Sequence, residues 1–475
     1  MLRSVIVAIF TSLVSGTAYA SGGGEGVPLG LRVPLWSVLP FAAMLLSIAV
    51  LPLVVPRWWH KNLNRALVAF LLGVPIAIWM SVLDLTEVLH IAHEYIAFII
   101  LLGSLFVISG GIVVRGTLAG TPGVNTVLLA IGGVLASFVG TTGAAMLLIR
   151  PLLRANELRS RKSHVVVFFI FIVANIGGLL TPLGDPPLFL GFLRGVPFTW
   201  TFSLVPEWAL MLGMLLVVFY IMDSTMFRKE DLGTPGDLNG TSVQHKIPIG
   251  IDGKVNFIFL AGVVLTILVC GYTHPPIGVQ EACMLLMAGL SLVFTEKELR
   301  KDNSFSWEPI VEVAVVFAGI FATMIPALAI LNARGSELGL TEPWQFFWSA
   351  GLLSSFLDNA PTYLTFTATA SGLLGTSASH LNQLISCMPL EGCANACAAC
   401  GPDVVNERGV LLLRAISLGA VFMGANTYIG NGPNFMVKAV AEQAGVKMPS
   451  FFGYIIYSVL LLFPMFVIVT FVFLV

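Results

Sequence analysis

Apolar runs of membrane-spanning length fill this chain, and four polar stretches cut through them. The first half holds Ser137-Phe-Val-Gly-Thr-Thr-Gly143 and then Ala174-Asn-Ile-Gly-Gly-Leu-Leu-Thr-Pro-Leu-Gly-Asp-Pro-Pro187. The second half holds Ser355-Phe-Leu-Asp-Asn-Ala-Pro-Thr362 and then Gly424-Ala-Asn-Thr-Tyr-Ile-Gly-Asn-Gly-Pro-Asn434. Backbone that leaves the helix at membrane depth must be buried in protein or line a cavity, because lipid cannot satisfy its polar groups. Paired breaks in corresponding places of two halves point to the binding site of a secondary transporter.

Spans follow from the runs and their basic flanks. The first half predicts spans at 36–55, 66–82 and 95–114, a hairpin at 124–149, a broken segment at 165–193 and a span at 207–226. The second half predicts spans at 256–271, 278–294 and 310–330, a hairpin at 344–370, a broken segment at 409–443 and a last span at 450–475. Basic residues cluster at Arg57 to Arg65, Arg115, Arg150 to Lys162, Arg228-Lys229 and Lys297 to Lys301, which marks those connections as cytoplasmic. Of the 24 Lys and Arg, this threading leaves only Arg32, Arg194, Arg334 and Arg408 in outer loops. One outer loop carries Asp84, Glu87 and Glu94 with no basic residue, and Asp223 is expected to reach water near the cytoplasmic end of its span. Each hairpin then enters and leaves on one face, the two from opposite sides. The expectation is an all-α polytopic membrane protein of two inverted repeats, 36–226 and 256–475, joined by a cytoplasmic linker at 227–255.

Composition agrees with that picture. With 57% hydrophobic and 10% charged residues, the chain cannot cover an ordinary soluble surface. A net charge of -1 carries no signature of nucleic-acid binding. The longest connections, 229–254 and 371–408, are too short for an enzyme module, so a non-enzymatic protein without a cofactor is expected. Arg3, the apolar run Val5 to Val14 and Ala18-Tyr-Ala20 form a signal-peptide pattern over residues 1–20, with a retained anchoring helix as the alternative. That implies a bacterial inner membrane protein whose N-terminus lies outside after signal removal.

A carboxylic acid within a membrane span marks an ion or proton path by default. Asp185 precedes Pro186-Pro187 and sits at the N-cap of a second half-helix, and Asp358 lies at the tip of the second hairpin beside Asn359. For each, the competing reading is a structural cap. Two acids at related breaks would let proton and sodium compete for one site. Hydroxyls and amides complete the candidate ion- or substrate-binding set: Ser137, Thr141, Thr142, Asn175, Thr181, Ser355, Thr362, Asn426, Thr427, Asn431 and Asn434. An anionic substrate would be held by half-helix N-termini, hydroxyls, amides or Arg, and none of the four motifs contains Arg or Lys.

The stretch Ala174 to Asp185 resembles the broken-helix motif of the ion transporter superfamily, which includes arsenite, citrate and dicarboxylate carriers. Thr181-Pro-Leu-Gly-Asp185 and Leu357-Asp-Asn-Ala-Pro361 are most similar to sodium/proton antiporters of the NhaD type. The resemblance implies two inverted repeats, each with a hairpin and an interrupted helix meeting at mid-membrane. Those antiporters carry an Asp-Asn pair in the first hairpin too, where this chain has Gly140-Thr141. The expectation is therefore exchange of sodium or lithium for protons, with sodium at Asp185 and Asp358. Sodium- or proton-coupled uptake of citrate or another carboxylate is the alternative. The partners implied are a small ion or carboxylate and the lipid bilayer, with a homodimer left open.

Four of the six cysteines crowd into one loop, at Cys387, Cys393, Cys397 and Cys400. On the outer face they would pair as two disulfides of undetermined connectivity, and on the cytoplasmic face the same thiolates would suit zinc or an iron–sulfur cluster. A membrane redox protein built on that loop is a minor alternative.

Overall fold

The structure, a computed structural model, describes residues 28–116, 119–230, 250–273, 275–303, 305–386 and 406–475. The expected signal peptide, linker residues 231–249 and Cys387, Cys393, Cys397 and Cys400 lie outside the described residues.

Helices account for nearly all of it. The longer ones in the first half are α1 (Leu39–Val54), α2 (Asn62–Leu83), α3 (Leu85–Ser109), α4 (Pro122–Val139), α5 (Thr141–Ala155), α6 (Ser163–Ile172), α7 (Pro186–Leu193) and α8 (Val205–Arg228). The second half continues with α9 (Val255–Thr273), α10 (Val279–Phe294), α11 (Lys297–Asp302), α12 (Glu308–Arg334), α13 (Pro343–Ser354), α14 (Asn359–Leu374), α15 (Glu407–Met423), α16 (Gly432–Gln443) and α17 (Phe451–Phe473). Among the described residues, ten helical stretches are long and apolar enough to cross a membrane. This is an all-α polytopic membrane protein. Among the described residues one small sheet pairs β1 (Val113–Arg115) antiparallel with β2 (Gly250–Asp252), in the register Val113 to Asp252 and Arg115 to Gly250, and so ties the two halves together.

Local chemistry sets the interruptions. Gly140 separates α4 from α5 at φ 80° and ψ 148°, a region essentially restricted to glycine, so the chain folds back on itself as a hairpin. The hairpin's two ends meet, because Asn125 and Asn156 exchange side-chain amide bonds of 2.9 and 2.8 Å. A second hairpin forms from α13 and α14. Its first arm starts at Pro343 with a Glu342/Gln345 capping box, and Asp358 caps the second arm by accepting from the Ala360 N–H at 3.1 Å. The broken segments are α6–α7 and α15–α16. In each, a proline in the first turn opens the second half-helix (Pro186-Pro187 in α7, Pro433 in α16).

Burial ranks the elements. The stretch Ser163–Leu180 is 94% buried and Glu407–Asn426 83%, whereas α2 is 22% buried and turns most of its surface outward. The two broken segments therefore form the centre of the protein. The helix α15 packs on α13, α12 on α2 and α14, and α10 on α3.

Two polar placements differ from expectation. Glu94 lies within α3 rather than in an outer loop, and it is buried. The guanidinium of Arg194 makes that burial tolerable, with Nε donating to Glu94 Oε1 at 2.9 Å and Nη2 to Oε2 at 2.8 Å. Asp223 is fully buried instead of reaching water. Arg159 pairs with it at 2.6 Å, His164 at 2.8 Å and Asn125 at 3.0 Å, which joins the base of the first hairpin to α6 and α8.

Candidate functional site

The two breaks are held open by the same device. In the first half Thr181 donates its hydroxyl to the Ser137 carbonyl, and the Thr181 oxygen accepts from the Leu183 N–H at 3.1 Å. In the second half Thr427 donates to the Ser355 carbonyl at 2.5 Å and accepts from the N–H groups of Ile429 and Gly430 at 3.2 and 3.1 Å. Each threonine thus clasps a hairpin serine while supplying partners to backbone that has left the helix. Ser137 Oγ also donates to the Gly177 carbonyl at 2.5 Å and accepts from the Leu180 N–H at 3.2 Å. Ser355 Oγ donates to the Met423 carbonyl at 3.1 Å and accepts the Asn426 amide at 2.9 Å. Without such partners, this backbone could not lie at membrane depth.

The first hairpin tip is fastened further by the Thr141 N–H, which donates to the Gly184 carbonyl at 2.8 Å. Close approach explains the neighbouring glycines. A Cβ on Gly184 would stand 2.1 Å from the Gly178 carbonyl oxygen, and one on Gly178 would stand 2.7 Å from Thr141 Cγ2.

Asp185 lies at the centre, 1% exposed. Its Oδ1 accepts from the Thr141 hydroxyl and from the Asn431 amide, each at 3.2 Å. Its Oδ2 accepts from the Asn359 amide at 2.5 Å. These partners come from the first hairpin, the second broken segment and the second hairpin. Thr141 and Asn359 are the first residues of α5 and α14, while Asp185 and Asn431 are the N-caps of α7 and α16. Four helices therefore begin within one side chain's reach of each other, with their positive ends turned to a common point. Among the described residues, no Lys or Arg pairs with Asp185 or Asp358.

Residues 30–474 match the model of a family described as "Putative citrate transport". The chain belongs to that citrate-transport family. No curated protein matches it. Family membership makes the central constellation the site where transport chemistry would be sought.

Of the candidate ion- or substrate-binding residues, Thr141, Asn359 and Asn431 touch Asp185, and Asn175 reaches it through Asn431. Asn175 donates to Asn434 Oδ1 at 2.7 Å and accepts from Asn431 at 3.3 Å, so it braces Asn431 toward Asp185. Asn434 in turn holds the Gly424 and Thr427 carbonyls, each at 2.9 Å. Other candidates stand apart from Asp185. The Asp358 carboxylate is spent on its helix cap, Thr362 donates to the Asp358 carbonyl at 3.0 Å, and Thr142 makes no side-chain hydrogen bond among the described residues.

Two of the candidate residues carry a buried acceptor that lacks a donor among the described residues. Asn359 Oδ1 and Asn426 Oδ1 have no hydrogen-bond partner, and Asn359 is fully buried. An oxygen left without a donor beside a carboxylate suits a hard cation, which binds through carboxylate and carbonyl oxygens. Asp185, Asn359 and Thr141 are the residues whose oxygens would supply such a site. Sequence reasoning missed the Glu94–Arg194 pair and the Arg159–His164–Asp223 cluster, whose partners are far apart along the chain. The signal available was a lone Arg194 at the end of a broken segment and a lone acid within each span.

Proposed function

We propose that this protein moves a carboxylate such as citrate together with a coupling cation, sodium or a proton, and that Asp185 takes the coupling ion. One observation carries the reading: a buried carboxylate at the meeting point of four helix N-termini, held by three neutral donors with no basic side chain in contact among the described residues. Helix starts, hydroxyls and amides are what carboxylates are normally held by. Here the charge of Asp185 already occupies them. A substrate carboxylate about 4 Å away would be repelled by roughly 4 kcal/mol at an effective dielectric near 20. Once a proton or sodium ion neutralises Asp185, that repulsion disappears and the same donors become available to the substrate. Substrate binding and ion binding would then strengthen each other, which is coupling in the thermodynamic sense.

The recurring Thr–Ser clasp and the repeated order of hairpin and broken segment support an inverted-repeat arrangement over 36–226 and 256–475. Rocking of such units about a fixed central site gives alternating access. The clustering of basic residues supports a cytoplasmic assignment for their face in a bacterial inner membrane.

Exchange of sodium or lithium for protons is the second reading, favoured by the donorless Asn359 Oδ1 beside Asp185. Reconstituted liposomes offered citrate, succinate, sodium, lithium, potassium and a pH gradient side by side separate the two. Accumulation of citrate driven by a sodium or proton gradient is the expected result. Sodium-induced proton movement without carboxylate uptake would replace the first reading by the second.

A further inference from the structure

A cavity of about 530 Å³ opens on the face that carries the basic clusters, between α5, α11, α16 and β1. That volume lies within the roughly 300–1,000 Å³ typical of small-molecule pockets. Arg115, Arg150 and Arg154 line it, together with Asp302, Gln443 and Val440. Arg115 is committed, bonded to the carboxylates of Asp252 and Asp302. Arg150 and Arg154 are not. Arg150 donates to the Asp302 backbone carbonyl at 2.8 Å and Arg154 to the Val114 carbonyl at 2.9 Å, and neither pairs with a carboxylate among the described residues. A guanidinium has five N–H donors, so most of each fork is left over. The two also stand four residues apart on α5, where like charges repel each other.

Two of the helices that wall the cavity begin at the central site. The helix α5 begins at Thr141 and α16 begins just after Asn431, both of which touch Asp185, and the two helices pack together. At about 1.5 Å per residue, Arg150 lies ~14 Å from Thr141 and Val440 lies ~12 Å from Gly432 along their helices. The far ends of α5 and of α16 thus bring the cavity with Arg150 and Arg154 about 12–14 Å from the central site along the helix axes.

We propose that this cavity is a second anion site, at which Arg150 and Arg154 hold a di- or tricarboxylate as it enters or leaves the transport pathway. The inference rests on the carboxylate reading above and adds a place and two residues to it. Arginine forks suit carboxylates bidentately, and two adjacent forks favour a substrate with more than one carboxylate over a monocarboxylate. An anionic lipid headgroup offers similar oxygens and is the competing source of the ligand.

The test uses the full chain in oriented liposomes, with labelled citrate supplied to one face at a time. For Arg150→Gln and Arg154→Gln we expect the KM for citrate supplied to the basic face to rise about ten-fold, the loss of one charge-assisted contact. The maximal rate over KM from the opposite face should fall by the same factor, as the fixed overall equilibrium requires, and Arg150→Lys should recover part of the affinity. As a binding measurement independent of these variants, citrate should slow maleimide labelling of Gln443→Cys, read by mass spectrometry of that peptide. Unchanged KM values at both faces, or labelling indifferent to citrate, in a protein that otherwise transports citrate would overturn this inference alone. Absence of any carboxylate transport by the unmodified chain would overturn the functional reading and this inference with it. Vesicles of phosphatidylcholine alone, compared with vesicles containing cardiolipin, address the lipid. A defect confined to the cardiolipin vesicles would assign the cavity to a headgroup and overturn the proposal.

Discussion

Asn431 donates its side-chain amide to Asp185 Oδ1 at 3.2 Å, although the two residues lie in opposite halves of the chain. Each follows a Thr-x-x-Gly sequence (Thr181 to Gly184, Thr427 to Gly430), and each is the N-cap of the second half of a broken segment. They hold corresponding positions, one an acid and the other its amide counterpart. The site thus holds one carboxylate where an acid at both positions would give two.

That relationship makes a prediction about charge placement. Asp185→Asn should remove the sodium or proton dependence of citrate transport while leaving the protein folded, because the amide is nearly isosteric with the carboxylate. Asn431→Asp alone should lower transport at neutral pH at least about ten-fold, since two carboxylates in contact repel by roughly 4 kcal/mol at an effective dielectric near 20. The double swap, Asp185→Asn with Asn431→Asp, restores a single charge and should recover part of the coupled transport. Uptake by the swapped protein as poor as that of Asn431→Asp would show that the two positions are not interchangeable.

Much of this arrangement was legible in the sequence because glycine, proline and asparagine at the breaks carry their own conformational reasons. Gly140 requires a backbone region closed to other residues, and Pro186-Pro187 can begin a helix but not continue one. The apolar runs and the polar breaks within them marked both hairpins and both broken segments to within about six residues. Side-chain direction was not legible. Asp358 and Asn359 are adjacent, yet successive residues at a helix start point about 100° apart, so Asn359 reaches Asp185 while Asp358 folds back on its own cap. Pairings such as Glu94 with Arg194 were hidden too, because nothing local in either sequence window reports a partner 100 positions away.

The contrast between those neighbours can be measured. Asn359→Leu keeps the branched shape but removes both the donor to Asp185 and the unpartnered Oδ1, and it should weaken coupling-ion affinity about ten-fold or more, as expected for losing contacts to a buried charge worth about 1.5–3 kcal/mol. Asp358→Asn should be much milder, because asparagine caps helices about as well as aspartate. Titrating citrate uptake against sodium and against pH in the two variants gives the ranking. A larger loss in Asp358→Asn than in Asn359→Leu would move the ion to the second hairpin tip.

Gly140 offers a test of the hairpin turn that does not touch the charge. Its φ of 80° with ψ 148° costs a residue with a side chain about 1–3 kcal/mol. Its N-terminal placement before Thr141 also means that relaxation of this strain would move the Thr141 hydroxyl away from Asp185. Gly140→Ala should lower thermal stability in detergent and weaken transport together. Gly213, inside α8, has nothing within 4 Å of an added Cβ among the described residues, so Gly213→Ala serves as a control expected to leave transport unchanged and stability no lower.

The Glu94–Arg194 pair concerns how the first broken segment is anchored. Arg194 follows the last turn of α7, its Nη1 donates to the Ala378 carbonyl at 3.2 Å, and its own carbonyl accepts from the Leu381 N–H at 2.7 Å. One residue therefore fixes the end of α7 to α3 on one side and to the chain beyond the second hairpin on the other. Removing one member of a buried pair leaves an uncompensated charge, which costs about 3–5 kcal/mol, whereas replacing both with apolar residues of similar volume is often neutral. Arg194→Met and Glu94→Leu should each lower the unfolding midpoint strongly, and the double variant should be more stable than either. If the pair serves only stability, citrate transport in the double variant will match that of the unmodified protein. The contacts of Arg194 with both hairpin-bearing halves lead us to expect a slower maximal rate with unchanged KM, because the double variant loses the side-chain tie between the end of α7 and the chain beyond the second hairpin.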